Sequence, residues 1–222
     1  MEQNSKENLR SIAQSRFLEG LLNFQLKPGQ LLSQREISQI INCSMPSVRE
    51  ALKILESKGI VKLIPHRGVL IKEITKKEVK DAYEVRLLIE LKALDLFFDE
   101  MLKEEISLLI KKTKQLMSAK KRKGHSEIDV FKERNDLDKS FHRYIVSKLN
   151  NKLMSDFHQN TESISLLARI NLPPHNHAQG QALNEHLEIL NSILNNDKKS
   201  AKRALIKHLN EASKRAISAI NI

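Results

Sequence analysis

A mostly helical chain in two parts is predicted from three observations. Only six of the 222 residues are Gly and five are Pro, and apolar residues recur at helical spacing over most of the length. One stretch departs from this: Ile60 to Ile64 and Val69 to Ile71 are β-rich runs around the turn Pro65-His66-Arg67-Gly68. Beyond Lys72 the pattern returns to helix, opened by Thr75 and Glu78 at capping-box spacing. The expected fold is an N-terminal winged helix-turn-helix, three helices plus a two-stranded wing. An all-α antiparallel bundle of about six to seven helices follows. The domains are expected at 1–74 and 75–222.

The first helix covers 5–26, where Leu9, Ile12, Ala13, Phe17, Leu21 and Phe24 share a helical repeat. Pro28-Gly29 then turns the chain. Ser33 with Glu36 makes a capping box, and Ile37, Ile40 and Ile41 give that helix its apolar face. Asn42-Cys43-Ser44 interrupts, with Ser44 an N-cap and Pro46 close to the first helical position. The next helix spans about Pro46 to Lys58. Val48, Leu52 and Leu55, beside Ala51 and Ile54, face inward, leaving Ser47, Arg49, Glu50 and Lys53 outside. Gly59 stops it as a C′ glycine. Helix, tight turn, helix and basic hairpin together form a device for placing one helix in the DNA major groove.

The pieces Pro28-Gly29-Gln30-Leu31-Leu32, Arg35-Glu36-Ile37, Ser44, Val48-Arg49-Glu50-Ala51-Leu52, Leu55-Glu56, Gly59-Ile60-Val61 and Arg67-Gly68 resemble, as a set, the DNA-binding domain of the GntR superfamily of bacterial transcription regulators. The resemblance implies that Arg35 and Arg49 reach DNA. Ser44, Met45 and Ser47 would stand at the start of the recognition helix, and the wing at His66, Arg67 and Gly68 would touch backbone or minor groove. The family usually has Arg where this chain has Met45. Arg holds a guanine edge bidentately and Met offers only apolar contact, so a different base preference is expected there. The competing reading of Arg49 is a solvated helix arginine near Glu50 and Lys53.

Composition narrows the class further. The longest apolar runs fall short of the ~20 residues a membrane span needs, and MEQNSKENLR is unlike a signal peptide. A single cysteine, Cys43, rules out a disulfide framework and fits a cytoplasmic location. The net charge is +11, but residues 1–75 hold 11 Lys and Arg against 7 Asp and Glu. Bulk charge therefore supports only non-specific attraction to polyanions.

The second half divides into helical segments at Glu78 to about Glu100 (one or two helices), Lys103 to Ala119, Ile128 to Asn150, Lys152 to Asn171, Gln181 to Asn195 and Lys198 to Ile220. Val79, Ala82, Tyr83, Arg86, Ile89, Ala93, Leu94 and Phe97 face inward on the first. Lys120-Lys121-Arg122-Lys123-Gly124 reads as a solvated helix end, and Pro173 to His177 as a loop. No Gly-rich nucleotide loop is present.

Polar groups interrupt three of the inward stripes. The segment from Ile128 to Asn150 reads Phe131, Asn135, Asp138, His142, Ile145, Leu149, apolar at the ends and polar in the middle. Such a patch calls for a ligand, water or metal. His186 replaces an apolar residue among Leu183, Leu190 and Ile193, and His208 does so among Ala201, Leu205 and Ala212. About a turn at Asn196 these two come to similar heights, roughly 15–18 Å from it. Three imidazoles and a carboxylate suit a divalent metal: Zn, Ni, Mn or Fe. The alternative is four separately satisfied core residues. His66 is assigned to the wing, and His125, His158, His175 and His177 to surface or loop. Phe141 is assigned to core packing.

Residues 78–215 resemble the all-helical FCD effector domain of the FadR-like GntR branch. The resemblance rests on Arg86 with Glu90, Asp138-x-x-Phe141-His142, Glu185-His186 with Asp197, and His208-Leu209. It implies a divalent metal on Asp138, His142, His186 and His208, with a small carboxylate effector completing its coordination. Arg86 on the inner face, with Asn135, would help bind that anion; Arg86 could equally pair with Glu90. The expected protein is a metabolite-responsive regulator, a repressor acting as a homodimer on a palindromic double-stranded operator. The alternatives are a metal-dependent hydrolase and a DNA-binding protein whose metal is purely structural.

Overall fold

The computed structural model describes residues 2–100, 102–118, 127–170 and 178–220. The basic run 120–124, His125 and the 173–177 segment lie outside the described residues, as do the side chains of Phe97 and Phe131. The chain separates into two compact units, Met1–Thr75 and Lys76–Ile222.

The first unit holds α1 (Glu2–Leu22), β1 (Leu31–Leu32), α2 (Gln34–Ile40), α3 (Met45–Ser57), β2 (Val61–Ile64) and β3 (Gly68–Ile71). Its core is Ala13, Phe17 and Leu21 of α1 packed with Ile37, Val48, Ala51, Leu52 and Leu55. Leu9 and Ile12 are exposed, and Phe24 lies past the end of α1 at φ 57°, so the apolar repeat overstates the buried part of this helix. The capping box forms in full: Glu36 N donates to Ser33 Oγ at 3.1 Å and Ser33 N to Glu36 Oε2 at 2.7 Å. Ser44 occupies the N-cap of α3, but its hydroxyl pairs with Ser47 Oγ at 2.8 Å instead of capping a backbone N–H. Arg16 closes the turn between α2 and α3 by donating Nη1 to the Asn42 carbonyl.

The sheet is antiparallel in the order β1-β3-β2 and has three strands. The extra strand, Leu31–Leu32, pairs with Val69 and Leu70. Two residues are too short to show alternation in sequence. The close approach of β1 explains Gly68: its φ is +124°, and a Cβ there would meet the Leu32 carbonyl oxygen at 2.5 Å.

The second unit is a bundle of α4 (Lys76–Phe97), α5 (Lys103–Ser118), α6 (Glu127–Ser147), α7 (Lys152–Ile170), α8 (Ala178–Leu194) and α9 (Lys198–Ser218), with a short 3-10 turn at Phe98–Glu100. Asp197 caps α9 by accepting from Ser200 N at 2.9 Å. Ile89, Ala93 and Leu94 of α4, Phe141 and Ile145 of α6, Leu166 and Leu167 of α7, Leu190 and Ile193 of α8, and Leu205 and Leu209 of α9 fill the centre. Among the polar residues buried with them are Arg86, Glu90, His142, His158, His186 and His208.

Candidate functional site

Asp138 and His142 lie one turn apart on α6, His186 on α8 and His208 on α9. The structure brings these four into one cluster, with one ligand atom from each within 4.8 Å of the others. His208 Nε2 lies 3.2 Å from His186 Nε2 and 3.3 Å from His142 Nε2. Asp138 Oδ1 lies 3.5 Å from His186 Nε2 and 3.6 Å from His142 Nε2. Four donors on a tetrahedral ion with arms of 2.0–2.1 Å stand about 3.3 Å apart. Phe141 stacks on His186 with ring centroids at 4.3 Å and holds that imidazole in place.

The backs of the rings explain why the Nε2 atoms converge. His142 Nδ1 lies 2.6 Å from Glu90 Oε2, and His208 Nδ1 lies 2.7 Å from Glu185 Oε2. A carboxylate accepts only, so each Nδ1 carries a proton, and each ring in its neutral form presents the Nε2 lone pair. Lone pairs facing one another at 3.3 Å in a dry interior repel unless a cation lies between them. The buried Nδ1 of His186 makes no hydrogen bond. The donor set and its geometry therefore fit a divalent metal on Asp138, His142, His186 and His208.

Electrostatics agree for His186 and His208. Burial, reinforced by the neighbouring His208, pushes the pKa of His186 well below the usual imidazole value; burial also lowers that of His208, against the pull of Glu185. For His142 burial is outweighed by Glu90, and its pKa rises. Asp138 is half-buried, and although desolvation raises its pKa, Arg169 and His142 hold it ionised well below the usual carboxylate range. Glu185, against the cost of burial, is brought down to about 2 by His208 and Arg215.

Glu90 is fully buried and bridges three helices. Besides His142 it accepts from Arg86 Nε at 2.9 Å and from His158 Nε2 at 3.0 Å. His158 is thus interior, at 1% exposure, which corrects its assignment to surface or loop. Arg86 pairs with Glu90 and also lines a cavity beside the quartet. That cavity, of about 70 Å³, is bounded by Arg134, Asn135 and Asp138 of α6, Arg169 of α7, His186 of α8 and His208 and Arg215 of α9, among others. It holds roughly five waters at 10–15 Å³ each. Arg169 donates to Asp138 Oδ2, and Arg215 donates both terminal nitrogens to Glu185. Asn135 Oδ1 is buried without a hydrogen-bond partner.

The sequence profile of the FCD domain matches residues 81–211, and that of the bacterial regulatory proteins of the gntR family matches 13–71. The chain belongs to the GntR family, in the branch with an FCD domain. The HTH-type transcriptional regulator YdhC of Bacillus subtilis is 25% identical over 190 residues, 86% of this chain and 83% of that protein. The transcriptional repressor RspR of Escherichia coli is 27% identical over 188 residues, covering 85% and 80%. A GntR-type regulator from Rhodococcus sp. RHA1 has the same fold: TM-score 0.74 at 18% identity, over 98% of this chain and 100% of that one. Regulation of transcription is the role of that family, and as a member of it this chain is a transcription regulator.

In the GntR unit, Arg35 of α2, Ser44 before α3, and His66 and Arg67 of the β2–β3 turn are exposed, as is Arg49 of α3. Met45, Ser47 and Gly68 are half-buried. Arg49 Nε reaches Gln34 Oε1 at 3.3 Å, a contact that joins α3 to the first residue of α2. His66 sits at φ 58° at the wing tip. No helix among the described residues is long and apolar enough to cross a membrane.

Proposed function

We propose that this GntR-family regulator is a cytoplasmic homodimer that senses a small carboxylate at a divalent metal in its FCD domain and changes its hold on a palindromic operator. One observation carries the reading: Asp138, His186 and His208 of the quartet form part of the wall of a cavity that also presents Arg86, Arg134, Arg169 and Arg215. The metal, when bound, supplies a Lewis-acidic site for an anion. Arg86, buried beside the quartet with only its Nε committed to Glu90, offers its terminal nitrogens to that anion. Asn135 Oδ1, buried and unmatched, accepts from a ligand hydroxyl.

DNA is read by Arg35 and by α3 through Met45, Ser47 and Arg49, with Ser44, His66, Arg67 and Gly68 at the backbone. Dimerisation is supported by exposed apolar residues on two packed helices of the bundle: Leu88 of α4 at 73% exposure, and Leu153 and Phe157 of α7 at 71% and 61%. An effector moves the DNA equilibrium only by binding one conformational state better than the other.

The test is operator retention by metal-loaded protein across a panel of small carboxylates, with His186→Ala as the control. Loss of metal and of effector response together supports the reading. Full metal content in that variant removes His186 from the site. Retention insensitive to every acid, with metal present, leaves the metal a structural role only.

A further inference from the structure

The recognition helix and the wing of the N-terminal unit are joined by a side chain outside the DNA-reading set. β2 is an edge strand, since β3 lies between it and β1. Backbone N–H groups on its free side therefore have no neighbouring strand to pair with. One of them, Leu63 N, donates to Glu56 Oε1 of α3 at 2.7 Å. The apolar core holds the base of the hairpin, where Ile60, Val61, Val69 and Ile71 are buried. Leu63 and Ile64 are half-buried, and Pro65, His66 and Arg67 are exposed. Glu56 thus reaches β2 beyond its last buried position, Val61, on the way to the tip.

The position of Glu56 is otherwise unfavourable. It is the last residue but one of α3, where the partial negative charge of the helix C-terminus opposes a carboxylate. It also follows Arg49 by two helical turns, on the same side of α3 and about 10 Å along the axis. A carboxylate on the side that faces DNA repels phosphates. What offsets both costs is the group it holds. The bond sets β2 beside the Arg49 side of α3, and β2 leads directly into the turn that carries His66 and Arg67.

We infer that Glu56 is a positioning residue for DNA binding: through the Leu63 N–H it ties the wing to the recognition helix, so that α3 and the tip at His66 and Arg67 meet the duplex at a fixed spacing. The inference rests on the reading above that both α3 and the wing touch DNA. An untied wing keeps its core-packed base, but its outer part must be ordered at the moment of binding, and that ordering weakens the complex.

The experiment is fluorescence-anisotropy titration of the full-length protein against a duplex that the natural protein selects from a random-sequence pool. Glu56→Asp keeps the charge but falls one methylene short of Leu63 N; Glu56→Gln drops the charge but keeps the acceptor oxygen. The Glu56→Asp variant is expected to bind about tenfold more weakly, the scale of one hydrogen bond to a charged group, and Glu56→Gln to stay within about threefold of the natural protein. In an Arg67→Ala background, where the wing contact is already lost, Glu56→Asp is expected to cost less than about twofold, because the two residues act through one contact. Full affinity in Glu56→Asp, the same loss with and without Arg67, or a Glu56→Gln variant as weak as Glu56→Asp each overturns the inference. If Arg67→Ala alone binds as tightly as the natural protein, the wing assignment falls and this inference falls with it. If Arg67→Ala weakens binding and Glu56→Asp does not, the wing stays at the DNA and this inference alone falls.

Discussion

His142 Nδ1 donates to Glu90 Oε2 at 2.6 Å, and this bond fixes a prospective metal ligand of α6 from a carboxylate on α4. It sets the tautomer as well as the ring angle, so the Nε2 lone pair points at the quartet. Glu90→Gln keeps the size but can present an N–H to the ring. Metal affinity measured by chelator competition is expected to fall about 10- to 100-fold. Unchanged affinity would mean that packing against Phe141 alone orients His142.

His158 supplies the second oxygen of Glu90 with a donor in a fully buried position. His158→Leu leaves that oxygen short of a partner, at a cost of about 1–3 kcal/mol in urea unfolding. His158→Gln, whose amide can reach a similar point, recovers most of it. A Leu variant as stable as the natural protein would show that Arg86 satisfies that oxygen unaided.

Arg49→Ala is expected to weaken specific operator retention by about 1–3 kcal/mol, ten- to a hundred-fold, while leaving the oligomeric state intact. Undiminished retention in a gel-shift assay would remove α3 from the base-reading surface.

Two glycines of the N-terminal unit make a controlled comparison. At Gly68 a Cβ would strike backbone, 2.5 Å from Leu32 O and 3.1 Å from its carbonyl carbon; at Gly59, φ +69°, nothing lies within 4 Å. Gly59→Ala carries the left-handed penalty alone, about 1–2 kcal/mol. Gly68→Ala must also displace β1, so its thermal unfolding is expected at clearly lower temperature. Equal melting of the two would sink the steric account of the wing.

Acid should weaken the metal-free bundle in a defined window. Glu185 is held at about 2 against an ordinary 4.5, and Glu90 lies well below its own ordinary value. The folded state therefore binds fewer protons than the unfolded one. This stabilisation is complete above pH 4.5 and is lost as pH falls from there towards 2. Urea midpoints across this range should fall with pH, and Glu185→Gln should flatten part of the slope. A slope unaltered in that variant would remove Glu185 from the acid response.

Much of the fold was legible because its signals are local. Ser33 with Glu36, Gly59, and the 3.6-residue repeats each act within a turn or two. The quartet was legible because Asp138, His142, His186 and His208 replace apolar residues in otherwise apolar stripes. His158 was not. Its neighbours at helical spacing, Thr161, Glu162 and Ser165, are polar too, and a polar stripe reads as a solvated face. What buries it is Glu90, 68 positions away. β1 was hidden for the opposite reason: it is two residues long and exists only because β3 offers it an edge.

The placement of the histidines also bears on the order in which the bundle assembles. His186 and His208 are 22 positions apart on the two arms of the α8–α9 hairpin, whereas His142 and His208 are 66 apart. Closing the shorter loop costs less chain entropy. A nascent chain can therefore offer a bidentate imidazole pair before α6 docks, and a metal caught there would recruit Asp138 and His142. On that account, refolding accelerates with metal through the docking of α6, and chelator added after the hairpin forms slows that step without unmaking the hairpin.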